Sequence, residues 1–166
     1  MDSFIRELNS FQQLCCKGNL EEVRAALARG ENVNGVENLA STLWRQTGLM
    51  MAVMKGHNSI VRLLLEQPTL DLNFTDECSR ATALHYAAQH DNVEGVRLLL
   101  ADPRQNCANL KDSYGKTPVM DAMFYKQKNA LRELVANPSV DLDTLDGKWR
   151  SLEEVARWAL NNFLIS

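Results

Sequence analysis

The strongest apolar runs of the chain return at a fixed interval. Val61-Arg62-Leu63-Leu64-Leu65, Val96-Arg97-Leu98-Leu99-Leu100 and Leu131-Arg132-Glu133-Leu134-Val135 begin 35 residues apart both times. Pro68, Pro103 and Pro138 follow them with the same spacing, and Thr47, Thr82 and Thr117 precede them. An earlier copy is visible from Gly18 to Leu27. Three landmarks that share one period define a repeat array.

Each unit reads as two short helices. In the third, Thr82 is placed to cap a helix running through Ala83-Leu84-His85-Tyr86-Ala87-Ala88, because its hydroxyl can accept an orphan backbone N–H. His90-Asp91-Asn92 break the pattern, and Val93 to Leu100 form a second, amphipathic helix. Pro103 ends it, since a residue without an N–H cannot extend the ladder. Ala52, Ala87, Ala88 and Ala122 on the first helices permit close approach between units, and the leucines of the second helices fill the space between layers. No unit buries its apolar face alone, so stability has to come from stacking.

These residues carry a family resemblance. Thr82-Ala83-Leu84-His85-Tyr86-Ala87-Ala88 and Gly115-Lys116-Thr117-Pro118 resemble the ankyrin T-P-L-H-x-A-A signature. Gly56-His57 with Ile60 to Leu65 resembles the start of the family's second helix, and Gly30-Glu31-Asn32-Val33-Asn34 resembles its G-A-D-V-N ending. The resemblance covers roughly residues 9 to 160. It implies an all-α ankyrin-repeat solenoid of helix-turn-helix units with β-hairpin-like fingers, forming a single domain over 1–166. The expected units are about 1–34, 42–76, 77–111 and 112–145, with a C-terminal cap at 146–166 that buries Leu152, Val155 and Ala156. The period departs from the usual ~33 residues. The first finger, Gly35 to Trp44, is about four residues longer than the next, and is the least family-like segment.

Composition narrows the function. With 18 Lys+Arg against 21 Asp+Glu and a net charge of −3, bulk charge gives no reason to expect nucleic acid or an anionic membrane as partner. Hydrophobic residues are 45% and charged residues 23% of the chain, the globular range. The longest stretch without charge, Ala81 to His90, is too short to span a bilayer. Asp2, Arg6 and Glu7 argue against a secretory signal. Cys15, Cys16, Cys78 and Cys107 lack metal-site spacing and read as reduced thiols. The expected setting is cytoplasmic, nuclear or both.

Catalytic chemistry finds little support. His85 and His57 occupy scaffold positions of the resemblance, whereas His90 lies where first helices show their inner face. The Cys15-Cys16 pair reads as packing with Cys15 inside, rather than as a redox switch. Glu153 and Glu154 are adjacent on one helix and do not face each other. No phosphate-cradling glycine loop and no G-x-S-x-G is present. The expectation is a non-enzyme without cofactor or metal.

In the resembled family, partners dock on fingertips and on exposed first-helix positions. Alignment to the three threonines gives the fingertip candidates Leu43, Trp44 and Gln46, then Cys78 and Ser79, then Ser113, Tyr114 and Lys116. The helix candidates are Met54 and Lys55, Gln89 and His90, and Phe124 and Tyr125. Arg157 and Trp158 continue the row on the cap, and Trp149 extends the fingertips. Aromatic residues are only 7% of the chain, yet Trp44, Tyr114, Phe124, Tyr125, Trp149 and Trp158 all fall on these positions. Aromatic side chains dominate interface hot spots, and a contiguous exposed patch of them marks a binding face.

The resulting expectation is a monomeric module that binds another protein through a concave groove and fingertips, as adaptor or stoichiometric inhibitor. Two alternatives stand beside it: the ankyrin segment of a larger enzyme or channel, and a self-associating spacer. Asn73 carries a further expectation. Its sequon with Phe74 and Thr75 needs the secretory pathway, but Leu65, Asp71, Leu72 and Asn73 also resemble the pattern at which ankyrin repeats are hydroxylated on asparagine. Asn34 and Asn109 have Ala26 and Ala101 where that pattern wants leucine. The primary role read for Asn73 is structural, since asparagine bonds its own turn backbone.

Overall fold

The computed structural model describes residues 11–36 and 45–142. These form α1 (Phe11–Lys17), α2 (Leu20–Ala28), α3 (Gly48–Lys55), α4 (Asn58–Leu65), α5 (Ala83–Gln89), α6 (Val93–Ala101), α7 (Pro118–Phe124) and α8 (Lys128–Ala136). A 3-10 turn spans Cys107–Asn109. The helices fall into two rows: α1, α3, α5 and α7 pack consecutively as the inner row, and α2, α4, α6 and α8 as the outer. Each outer helix also packs on the inner helix of its own unit. This is the two-layer repeat that the 35-residue period implies.

The core sits between the rows. Ala52, Ala87, Ala88 and Ala122 are fully buried, and so are Leu64, Leu84, Leu131 and Leu134. Small side chains on the inner row bring helix backbones together, while branched ones from the outer row fill the volume left. Each fully buried leucine contributes about 1.5–3 kcal/mol relative to exposure.

Helix starts follow the sequence. Thr47 Oγ1 accepts from the Met50 N–H at 3.3 Å. In the next unit the cap is reciprocal: Thr82 Oγ1 accepts from the His85 N–H, and His85 Nδ1 accepts from the Thr82 N–H at 3.1 Å.

The outer helices begin with a second recurring bond. His57, Asn92 and Gln127 occupy equivalent entry positions. Each reaches back to a carbonyl of the preceding inner helix. His57 Nε2 lies 2.9 Å from Cys16 O, Asn92 Nδ2 donates to Val53 O at 2.9 Å, and Gln127 Nε2 donates to Gln89 O at 2.6 Å. Three different side chains thus tie four successive units. Arg104, held by Asp102, does similar work at the other end of α4 by donating to Leu65 O and Gln67 O.

Two backbone positions per unit take left-handed φ. After the inner helices these are Gly56 (φ 72), Asp91 (φ 53) and Lys126 (φ 59); at the fingertips they are Arg45 (φ 27), Arg80 (φ 54) and Gly115 (φ 76). The fingers close through Asp76 N–H to Ala81 O at 3.0 Å and Asp112 N–H to Lys116 O at 2.8 Å. They are shaped like hairpins, but among the described residues no strand ladder forms. The expected cap at 146–166 and residues 37–44 of the long first finger lie outside the described residues.

Candidate functional site

Between the fingers and the inner helices lies a cleft of about 460 Å³. Its walls come from three consecutive units. Gln46 and Met54 belong to the first, Ser79, Tyr86, Gln89 and His90 to the second, and Asp112, Tyr114, Lys116 and Tyr125 to the third. Eight residues expected on sequence grounds therefore meet in one place: Gln46, Met54, Ser79, Gln89, His90, Tyr114, Lys116 and Tyr125.

The fingertips are held by aspartates. Asp76 is buried and accepts from the Cys78, Ser79 and Ala81 N–H groups, from the Ser79 hydroxyl at 2.6 Å and from Tyr86 OH at 3.1 Å. Asp112 does the same in the next finger, accepting from the Tyr114 N–H at 2.9 Å and the Lys116 N–H at 2.8 Å. Ser113 N–H donates to Ser79 O at 2.7 Å and joins the two tips. Ser113 and Cys78 are exposed on the tips.

Gln46 differs from the expected open fingertip. It is half-buried, and its amide donates to Tyr86 OH at 2.7 Å. Burial, helped by the charge of Asp76 and opposed by the hydrogen bond from Gln46, pushes the Tyr86 phenol up to about 12, so the hydroxyl stays protonated and works as a bridge.

Lys55 and His90 are exposed at the ends of α3 and α5. Burial, and then the charge of Lys55, holds His90 below its ordinary pKa. Gln89 is half-buried and donates to Asp121 Oδ2 at 2.7 Å.

The third wall is aromatic, formed by Tyr114 and Tyr125 with Phe124 beside them. Tyr114 is 78% exposed, Phe124 55% and Tyr125 47%. Phe124 and Tyr125 meet edge-to-face with ring centroids 5.1 Å apart. Lys116 lies among them, bonded to the fully buried Asp121 and 3.6 Å from Asp112 Oδ2. Lys116 was expected as an open contact, but its side chain is only 17% exposed. The cause is the inward pull of two carboxylates.

Leu43, Trp44, Trp149, Arg157 and Trp158 lie outside the described residues. Asn73 is half-buried and its side-chain oxygen accepts from the Asn106 N–H at 3.1 Å. Asn34 and Asn109 make similar bonds from their own units to Asp71 N and Asp141 N.

Sequence reasoning passed over Asp76, Asp112, Tyr86 and Asp121. The first two carried a signal, an aspartate opening a short turn two or three residues before the tip. Asp121 carried another, a carboxylate in an inner-helix register where the neighbouring units have Met51 and Tyr86.

The reactive groups are quiet. Burial, then the Cys16 charge, pushes the Cys15 thiol up to about 12, and burial pushes Cys107 up to about 11, so neither offers a thiolate nucleophile at neutral pH. His85 is fully buried between Thr82 and Lys116 O. Among the described residues no cluster of His, Cys, Asp and Glu is placed to hold a metal ion. Nor, among them, is any helix long and apolar enough to cross a membrane.

Two rows of paired helices, capped by threonine and joined through fingers, define an α-helical repeat scaffold of the protein-interaction class. The family model for ankyrin repeats (3 copies) matches residues 11–109 and 71–146, and the chain belongs to the ankyrin repeat family. Curated relatives share the repeat within much longer proteins. A rice protein named probable E3 ubiquitin-protein ligase XBOS33 is 43% identical over 88 residues, 52% of this chain and 15% of that protein. Rice XBOS32, also named a probable E3 ubiquitin-protein ligase, is 31% identical over 123 residues, 74% of this chain and 21% of its own. Human transient receptor potential cation channel subfamily A member 1 is 30% identical over 115 residues, 69% of this chain and 10% of the channel. The chain thus spans about a fifth or less of each of these relatives.

Proposed function

We propose that this chain binds a partner protein across the cleft between its fingers and inner helices, as an adaptor or stoichiometric inhibitor, and catalyses nothing itself. The observation that carries this reading is the convergence of the exposed Tyr114 and Tyr125 on a cleft built by three units, with the exposed Phe124 packed edge-to-face on Tyr125 beside it. Rigid aromatic side chains bury much area for little lost rotamer freedom. The walls are fixed by hydrogen bonds to Asp76, Asp112 and Asp121, which lowers the ordering cost of association.

Affinity capture from cell extract with the wild type beside a Tyr114→Ala/Tyr125→Ala variant tests it. The reading expects proteins retained by the first and lost by the second, at equal melting temperature. Identical capture by both would remove the cleft as the site. A monomer by light scattering at micromolar concentration is expected, and a dimer dispersed by the same two substitutions would favour the spacer reading instead.

A second reading has its own support in the small share of each relative that the chain covers. In it, these repeats are the recruiting segment of a longer polypeptide, with chemistry or transport carried elsewhere. Sequencing the full transcript decides between them.

Asn73 is proposed as structural first and as a hydroxylation site second, with no glycan. Its bond to Asn106 N supports the structural role, because an oxygen acceptor at that place ties two successive units. Peptide mass spectrometry of protein from animal cells reads the outcome directly: one added oxygen supports hydroxylation, and a glycan mass overturns the intracellular setting.

A further inference from the structure

The fourth unit departs from its neighbours on the inner face. Where the second and third have Gln46 and Ala81, it has Lys116; where they have Met51 and Tyr86, it has Asp121. Both substitutes are ionic, and Asp121 is fully buried. The repeat itself does not need such a pair, since two adjoining units stack without one. What the pair does is visible in its surroundings. The Lys116 ammonium lies 5.0 Å from the Phe124 ring centroid, 5.5 Å from that of Tyr125 and 5.7 Å from that of Tyr114. Two of these rings come from the end of α7 and the third from the fingertip, and the ammonium is their common neighbour. An ammonium attracts the faces of all three through their quadrupoles.

We propose that Lys116 is a positioning residue of the binding face: it holds Tyr114, Phe124 and Tyr125 as one preformed patch, and the partner meets that patch with an uncharged aliphatic or aromatic side chain. This rests on the cleft being the partner site.

The charge balance around Lys116 selects the partner's chemistry. One ammonium faces two carboxylates, Asp121 in direct contact and Asp112 beside it. Burial alone pulls Lys116 down, but the hydrogen bond to Asp121, then the charges of Asp121, Asp112 and Tyr125, hold the ammonium above its ordinary value. Its positive charge is therefore consumed internally, and an arriving carboxylate gains little from it. An arriving cation meets rings that already have an ammonium 5.0 to 5.7 Å from their centroids, which lowers what a second cation gains there. What stays open is the outward apolar area of the three rings, which rewards an uncharged anchor.

The test uses a displayed library of random 16-residue peptides, selected on the full chain. Enriched peptides are then measured by fluorescence anisotropy against wild type and variants. The inference expects a shared aliphatic or aromatic anchor. It also expects at least ten-fold weaker binding to Lys116→Met, and affinity within three-fold of wild type for Lys116→Arg, which keeps the cation. Because Lys116→Met leaves Asp121 uncompensated, Lys116→Met/Asp121→Asn is measured too, and should stay folded while binding as weakly. In the free protein, proton NMR should show the Lys116 ε-methylene shifted upfield by the rings, and the shift should shrink in Tyr125→Ala.

Peptides that bind the folded double variant as tightly as wild type would overturn the positioning role. So would an anchor carboxylate whose amide replacement abolishes binding. Peptides indifferent to Lys116, Tyr114 and Tyr125 alike, or a library with no peptide sensitive to Tyr125→Ala, would instead remove the cleft reading and this inference with it.

Discussion

His85 Nε2 lies 3.0 Å from the carbonyl oxygen of Lys116, so the inner helix of one unit is fastened to the fingertip of the next through a single imidazole. The same ring closes its own helix cap on Thr82. Burial lowers the His85 pKa below the ordinary 6.5, against the opposing pull of the Lys116 carbonyl, Asp121 and Asp112. The native ring therefore stays neutral where the unfolded chain takes up a proton. Stability is fully present above about 6.5 and falls as the pH drops below it.

His85→Met isolates this contribution, because Met50 and Met120 fill the equivalent buried place in adjoining units. The variant should lose about 1–2 kcal/mol at pH 7.5 through its unpaired partners. That deficit should narrow toward pH 5, since only the wild type pays the histidine linkage. Urea midpoints for both chains across this range check it, and parallel curves would falsify the assignment.

Thr82 and Thr117 look identical in sequence and differ in bonding. Thr82 Oγ1 is 2.9 Å from His85 Nδ1, whereas Thr117 Oγ1, also fully buried, has no hydrogen-bond partner among the described residues. Thr82→Val should cost about 1–2 kcal/mol, while Thr117→Val should be close to neutral. Thermal melts of the two single variants are sufficient, and equal losses would contradict the hydrogen-bond assignment.

Core and surface should separate cleanly. Leu99 is 1% exposed between layers, and Leu99→Ala should cost about 2–5 kcal/mol and spread to adjoining units. Tyr125→Ala should leave unfolding within about 0.5 kcal/mol of wild type. Denaturant titration with hydrogen exchange reads both effects. A Leu99→Ala loss confined to α6 would argue against cooperative stacking.

Lys126 takes a left-handed φ of 59° where the second unit has Gly56. Lys126→Gly should be stabilising by roughly 0.5 kcal/mol, the steric relief exceeding the added chain entropy. Gly56→Ala should cost about 1 kcal/mol although a methyl group there meets open space, because the penalty lies in the backbone. Calorimetry on the pair provides the check: a destabilised Lys126→Gly would mean that the lysine side chain does more than occupy the turn.

The helices were legible because their determinants are local. Thr47 and Thr82 announce caps, Pro103 a stop, and the buried leucines a period, and all of these act within a turn or two of chain. The exposed aromatics were legible as positions for the same reason. Lys116 was not, because its orientation is set by Asp121 and by rings ten residues apart in sequence, and neither periodicity nor turn chemistry encodes a three-way convergence. The bond of Gln46 was not legible either: its partner, Tyr86, lies in another unit, 40 residues away.

The struts at the outer-helix entries bear on how such an array can be rearranged in evolution. His57 and Gln127, the longer side chains, reach the carbonyl just before the last residue of α1 and the terminal one of α5, whereas the shorter Asn92 stops at Val53, two residues short of the end of α3. Each joint is cut to its own length. Asn92 also spends its oxygen on Gly95 N–H and a second donor contact on Asn58, so it cannot be swapped for its counterparts without refitting both neighbours. Duplicating or transposing one unit would bring a strut against an acceptor at the wrong depth. The modules share a period but not a thread, and that makes their order heritable as a whole.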